Sequence, residues 1–169
     1  MRRAVLALGC AGALALAGCH RVPEPVQAPF YLRELNLPSV GAEPYHWSQL
    51  TGRVVLVAFF ATWSFPALAE LPTLEALQKK YGPQGFQVVL VGLEVEGARI
   101  LEPFAQQFAP PFPVLVSDER MQKGGSSFGL IPALPTTVLL DRRGDVAGAW
   151  QGVAPHGAMA QAVETLLAR

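Results

Sequence analysis

The run Val54-Val55-Leu56-Val57-Ala58-Phe59-Phe60 constrains this chain more than any other stretch. A strand covered on one side alternates apolar and polar residues. This one does not, so both of its faces have to be covered. Directly behind it comes Ala61-Thr62-Trp63-Ser64-Phe65-Pro66-Ala67, and then Leu68, Leu71, Leu74 and Leu77 recur every third residue. That spacing predicts a helix over Ser64–Tyr81, stopped by Gly82-Pro83.

The rest of the chain repeats the alternation. Phe86–Val95 reads as a second buried strand, followed by helical spacing over Ala98–Phe108 that Pro103 bends or shortens. Pro113–Ser117 is a short strand, and Glu119–Phe128 a weaker helix cut by Gly124-Gly125. Thr136–Asp141 and Asp145–Gln151 flank Arg142-Arg143-Gly144, a Gly-bearing loop that predicts a β-hairpin. A last helix over Pro155–Ala168 buries Met159, Val163 and Leu166 or Leu167. Phe30–Leu37 and Tyr45–Leu50 are short and read as an N-terminal hairpin. The expectation is an α/β domain with a mixed central β-sheet flanked by helices.

Of the 169 residues, 51% are hydrophobic and 15% charged, which suits one compact domain plus a tail. Formal net charge is zero and no basic stripe is visible, so binding to nucleic acid has no electrostatic support.

Met1-Arg2-Arg3 precedes an uncharged stretch, Ala4–Gly18, that ends Leu16-Ala17-Gly18-Cys19. This is the pattern of a secretory signal, and it is shorter than a membrane span requires. Its ending resembles a bacterial lipobox, which implies cleavage before Cys19 and a lipid on that sulfur. The expected domain plan is a signal peptide over 1–18, a lipidated Cys19 with a Pro-rich tether over 19–29, and a folded domain over 30–169. The alternative is an uncleaved signal anchor or a cytoplasmic apolar tail. His20 is not the Asp of an inner-membrane retention signal, which favours the outer membrane. Cleavage would remove two of the 13 basic side chains and none of the 13 acidic ones. It would also remove Cys10, and lipidation would consume Cys19, leaving no free thiol in an oxidising compartment.

Phe60-Ala61-Thr62-Trp63, Pro66, Glu70-Leu71-Pro72, Leu134-Pro135-Thr136-Thr137 and Asp141-Arg142-Arg143-Gly144 occur in this order. Together they resemble the thioredoxin-like fold, and more narrowly the TlpA/ResA-type redoxins, across roughly residues 30–169. The resemblance implies a cis-proline at Pro135, before a C-terminal hairpin and helix. It also implies a Trp-Cys-x-x-Cys redox site, whose cysteines fall at Ser64 and Ala67 in this chain. A cysteine at a helix N-terminus has a lowered pKa and attacks as a thiolate; a second cysteine resolves the mixed disulfide. Serine and alanine do neither.

Ser64 then has two readings, as an N-cap for the helix or as a nucleophile that needs a base. Neither His46 nor His156 is placed beside it by the sequence. Glu70 matches a glutamate that tunes the family's cysteines. It is a relic, a buried acid with a raised pKa, or simply exposed. Pro72 should kink the helix. In relatives the cis-proline loop pairs with an extended substrate peptide, so Trp63, Phe65, Pro66, Leu134 and Pro135 form a candidate peptide groove; the alternative is ordinary packing. No cofactor or metal is expected: His20, His46 and His156 are far apart, and Glu94 with Glu96 reads as a solvated loop. Three functions stay open. One is a lipid-anchored envelope protein that binds peptide or protein without thiol exchange. The second is a redoxin working with a partner thiol, and the third a serine hydrolase. Oligomeric state is not legible.

Overall fold

The computed structural model describes residues 30–41, 44–155 and 157–169. The expected signal, Cys19 and tether, like His20 and His156, lie outside the described residues. The elements are α1 (Phe30–Glu34), β1 (Ser39–Val40), β2 (Val54–Phe60), α2 (Phe65–Tyr81), β3 (Phe86–Gly92), α3 (Ala98–Phe108), β4 (Val114–Val116), α4 (Glu119–Gln122), β5 (Thr136–Leu140), β6 (Val146–Gln151) and α5 (Ala158–Leu167).

One six-stranded sheet runs β1-β4-β3-β2-β5-β6. β2, β3 and β4 are mutually parallel, whereas β1, β5 and β6 each pair antiparallel, so the sheet is mixed as expected. Every residue of β2 is buried because the period of two sends alternate side chains into two cores. Val54, Leu56, Ala58 and Phe60 pack under α2, α3 and α5, against Leu71, Leu74, Phe104, Met159 and Val163. Val55, Val57 and Phe59 pack on the other face with Leu32, Leu35, Leu50 and Met121. Each core removes from water the apolar side chains that drive folding.

The N-terminal hairpin is not formed. Leu32 and Leu35 lie three apart and are both fully buried, a spacing that one face of a helical turn satisfies and a strand does not. Trp47–Leu50 is a 3₁₀ turn with a capping box from His46 and Gln49, and only Ser39–Val40 joins the sheet. The helix after Asp118 is also shorter than expected. It ends at Gln122, where Gly124 takes φ +78°, a conformation glycine adopts freely. Pro72 lies inside α2 as expected.

Gly92 sets how closely α3 approaches the sheet. A Cβ there would lie 2.5 Å from Leu101 Cδ1, and Leu101 is fully buried and has nowhere to retreat. Gly92→Ala is therefore expected to cost about 1–3 kcal/mol, read as a lowered urea midpoint. An unchanged midpoint would contradict this tight seat for α3.

Candidate functional site

The site candidates gather at the carboxyl end of β2, β3 and β4. β2 ends at Phe60 and the chain turns through Ala61–Ser64 into α2. Antiparallel pairing of Phe59 with Thr136 brings the preceding residue, Pro135, to the same end. The Leu134–Pro135 bond is cis, as the resemblance implied. The Pro135 carbonyl accepts from the Gly152 N–H at 2.7 Å, which ties the loop after β6 to the proline loop.

Within the turn, side chains alternate between outside and inside. Trp63 is 72% exposed, Phe65 is 84% exposed and Pro66 is exposed, while Ser64 and Ala67 are buried. Leu134 is half-buried against the core that holds Phe59, and Pro135 is buried. The apolar groove residues thus share one end of the molecule, with Trp63, Phe65 and Pro66 facing solvent.

Ser64 occupies the N-cap position, but its hydroxyl makes no capping bond. The expected side-chain cap is absent; Ser64 N–H donates to the Ala61 carbonyl at 3.0 Å, and Leu68 N–H donates to the Ser64 carbonyl at 3.0 Å as the first bond of the helix. The nucleophile reading finds no base in His46. That ring accepts from the Ser48 N–H at the opposite end of β2, a seven-residue strand about 23 Å long.

Glu70 lies on the buried side of α2, 4% exposed. Its carboxyl has only two long contacts, Thr137 Oγ1 at 3.4 Å and the Ala154 N–H at 3.5 Å. Burial pushes its pKa above the ordinary 4.5, and those two contacts oppose the shift without cancelling it. Of the three readings, burial excludes the exposed one and fits the buried acid.

Glu94 differs from its expectation as a solvated loop residue. It is 3% exposed, and its Oε1 accepts the Thr62 N–H, so it braces the turn from the adjacent strand end. Gln122 Nε2 donates to the Glu94 carbonyl at 3.1 Å and to Ser117 Oγ at 3.0 Å. A signal for this was present in the sequence. Glu94 keeps the parity of Phe86, Val88 and Leu90, the inward positions of β3. Glu96 is exposed.

Sequence reasoning also missed Val95, Leu130 and Val153. Eight large apolar side chains are exposed among the described residues. Five of them lie at this one end of the sheet: Trp63, Val95, Leu130 and Val153 on loops, and Phe65 at the first position of α2. Trp63 and Phe65 adjoin one turn, whereas Val95, Leu130 and Val153 lie in three separate loops, so only the topology brings the five to one end. Among the described residues no group of three or more His, Cys, Asp or Glu is placed to hold a metal ion.

Glu70 gives a prediction with a definite sign. Its folded pKa is raised, so its contribution to stability is fully present below pH 4.5 and is lost as pH climbs through the folded value. Glu70→Gln does not titrate. Its melting temperature relative to the native chain should therefore rise from pH 4 to pH 7. A difference that does not change with pH would contradict the buried-acid assignment.

Residues 25–167 match the family model described as Redoxin. The chain is 29% identical over 110 residues to the thiol-disulfide oxidoreductase ResA of Geobacillus kaustophilus, covering 65% of this chain and 61% of that one. It is 29% identical to the thioredoxin-like protein YneN of Bacillus subtilis, over 73% of this chain and 68% of the other. Among solved structures, one from Chlorobium tepidum, described as a thiol:disulfide interchange protein, DsbE, superposes with a TM-score of 0.62. The two are 32% identical, over 71% of this chain and 84% of that one. A thiol-disulfide isomerase from Corynebacterium glutamicum, 20% identical, shares the fold with a TM-score of 0.68 over 84% of this chain and 97% of its own. With the strand order, the cis-proline loop and the turn into α2 in place, the chain belongs to the Redoxin family, on the thioredoxin-like fold of the TlpA/ResA type.

Proposed function

We propose that this protein is a lipid-anchored redoxin of the bacterial envelope that binds polypeptide and performs no thiol–disulfide exchange of its own. The observation that carries the reading is the contrast at the turn into α2. The two cysteines of the chain are Cys10 and Cys19, and the turn has Ser64 and Ala67 where the family resemblance expects thiols. A serine hydroxyl stays protonated near neutral pH and forms no disulfide, and alanine offers nothing to resolve one. The surface around them is nonetheless apolar and exposed, on Trp63, Phe65, Val95, Leu130 and Val153.

A polypeptide can use that surface in a definite way. Leu134 lies outside the strands, and among the described residues neither its N–H nor its C=O has a partner. An extended segment would bond to that backbone and place alternate side chains over Phe65 and Trp63. Large aromatic side chains contribute most at such contacts. The lipid on Cys19 and the envelope location rest on the Leu-Ala-Gly-Cys signal in the sequence. Among the described helices none is long and apolar enough to cross a membrane.

The test compares two exposed apolar positions at opposite ends of the sheet. Fluorescein-labelled, reduced and carboxymethylated insulin B chain is titrated with the domain and followed by anisotropy. Phe65→Ser should weaken binding roughly tenfold, the loss of one well-placed aromatic contact. Val146→Ser, at the far end of β6, should change nothing. Equal effects from both substitutions, or none from Phe65→Ser, would refute the groove.

A further inference from the structure

A second feature lies beside the apolar surface. A cavity of about 460 Å³ opens between the loop after β3 and α4, lined by Glu94, Val95, Gly97, Ser117, Gln122 and Lys123, with Glu119 at its side. Val95 belongs both to this cavity and to the exposed apolar patch. Glu94 joins them from below, because its Oε1 holds the Thr62 N–H next to Trp63.

The carboxylate of Glu94 keeps one oxygen without a protein partner among the described residues. Burial of a charge is costly unless another charge and full hydrogen bonding offset it. Glu94 is nine-tenths buried and more, yet it makes no ion pair among the described residues. Its one side-chain hydrogen bond is to Thr62 through Oε1; Oε2 has no protein partner among the described residues and is reached by solvent. Lys123, the one cation lining the cavity, is exposed and is paired with Glu119. Ser117 Oγ and the Gln122 amide are engaged with each other and with backbone carbonyls, so they are fixed in place.

We propose that this cavity takes the basic side chain, Lys or Arg, of a polypeptide lying on the apolar end of the sheet. The inference rests on the polypeptide reading above and narrows it to segments that pair an apolar stretch with a basic residue. An aliphatic stem passes Val95, as long charged side chains pass apolar surface, and the cationic head meets Glu94 Oε2. The charge on Glu94 and the lack of an internal partner select a cation over an anion or a neutral group.

Two probes separate this inference from the reading beneath it. The first is n-butylammonium, a lysine side chain without its peptide, added to the ¹⁵N-labelled domain. The Thr62 and Val95 amide signals should shift saturably, and Glu94→Gln, which keeps an acceptor for Thr62, should abolish the shift. No saturable shift in the native chain, or a shift that survives in Glu94→Gln, overturns the cavity assignment. Lys123→Met, at an exposed position, should tighten n-butylammonium by removing a positive charge from the cavity rim; weaker binding contradicts it. The second probe is a pair of peptides, Ala-Val-Leu-X-Ala-Val with X either lysine or norleucine. Lysine should be preferred roughly tenfold by the native chain and not by Glu94→Gln. Equal binding of the two peptides overturns the inference and leaves the groove standing. Binding of n-butylammonium with neither peptide bound leaves the cavity standing and refutes the polypeptide reading.

Discussion

Phe59 and Phe60 are adjacent, point to opposite faces of the sheet, and are both almost completely buried. The rest of the structure depends on that two-sided burial of β2. It requires helices on one face, supplied by α2, α3 and α5, and a second cover on the other, supplied by α1, the turn at Trp47–Leu50 and α4. With both faces filled, the strand cannot shift by one residue without exchanging its two cores. The register to β5 then fixes Pro135 beside the end of β2, and the register to β3 fixes Glu94 beside Thr62.

What this arrangement presents is a turn without sulfur at the place where the family resemblance expects a dithiol. The start of α2, the cis-proline loop, a buried acid with a raised pKa on the inner face of α2 and a brace from the neighbouring strand are all in place. Ser64 is buried and its hydroxyl does not even cap the helix. The turn itself holds no sulfur, and its aromatic residues Trp63 and Phe65 are exposed. Retention of shape without the reactive atoms is what a binding role needs, since recognition by backbone and apolar side chains takes no electrons.

Much of this was legible in the residues because the signals were local or strongly periodic. The all-apolar β2, the leucine spacing of α2 and the Gly-bearing hairpin each specify their element without help from elsewhere. Short segments were not legible. Phe30–Leu37 has one helical turn's worth of pattern, and its helix forms because Leu32 and Leu35 fill a core built by distant strands. The site was legible through Trp63, Phe65 and Pro66, which adjoin the turn in sequence. Val95, Leu130 and Val153 converge only through the crossing of the chain, and the parity that marks Glu94 as inward does not reveal its partner, Thr62, which the pairing of β2 with β3 supplies.

The central claim is that the scaffold is competent and lacks only its sulfurs. Restoring them in a chain whose Cys10 and Cys19 are serine, as Ser64→Cys with Ala67→Cys, and assaying insulin reduction by dithiothreitol tests it most directly. The account predicts turnover by the doubly substituted chain above the rate of dithiothreitol alone, with its cysteine-free parent as the blank. No turnover by the doubly substituted, folded chain would contradict it.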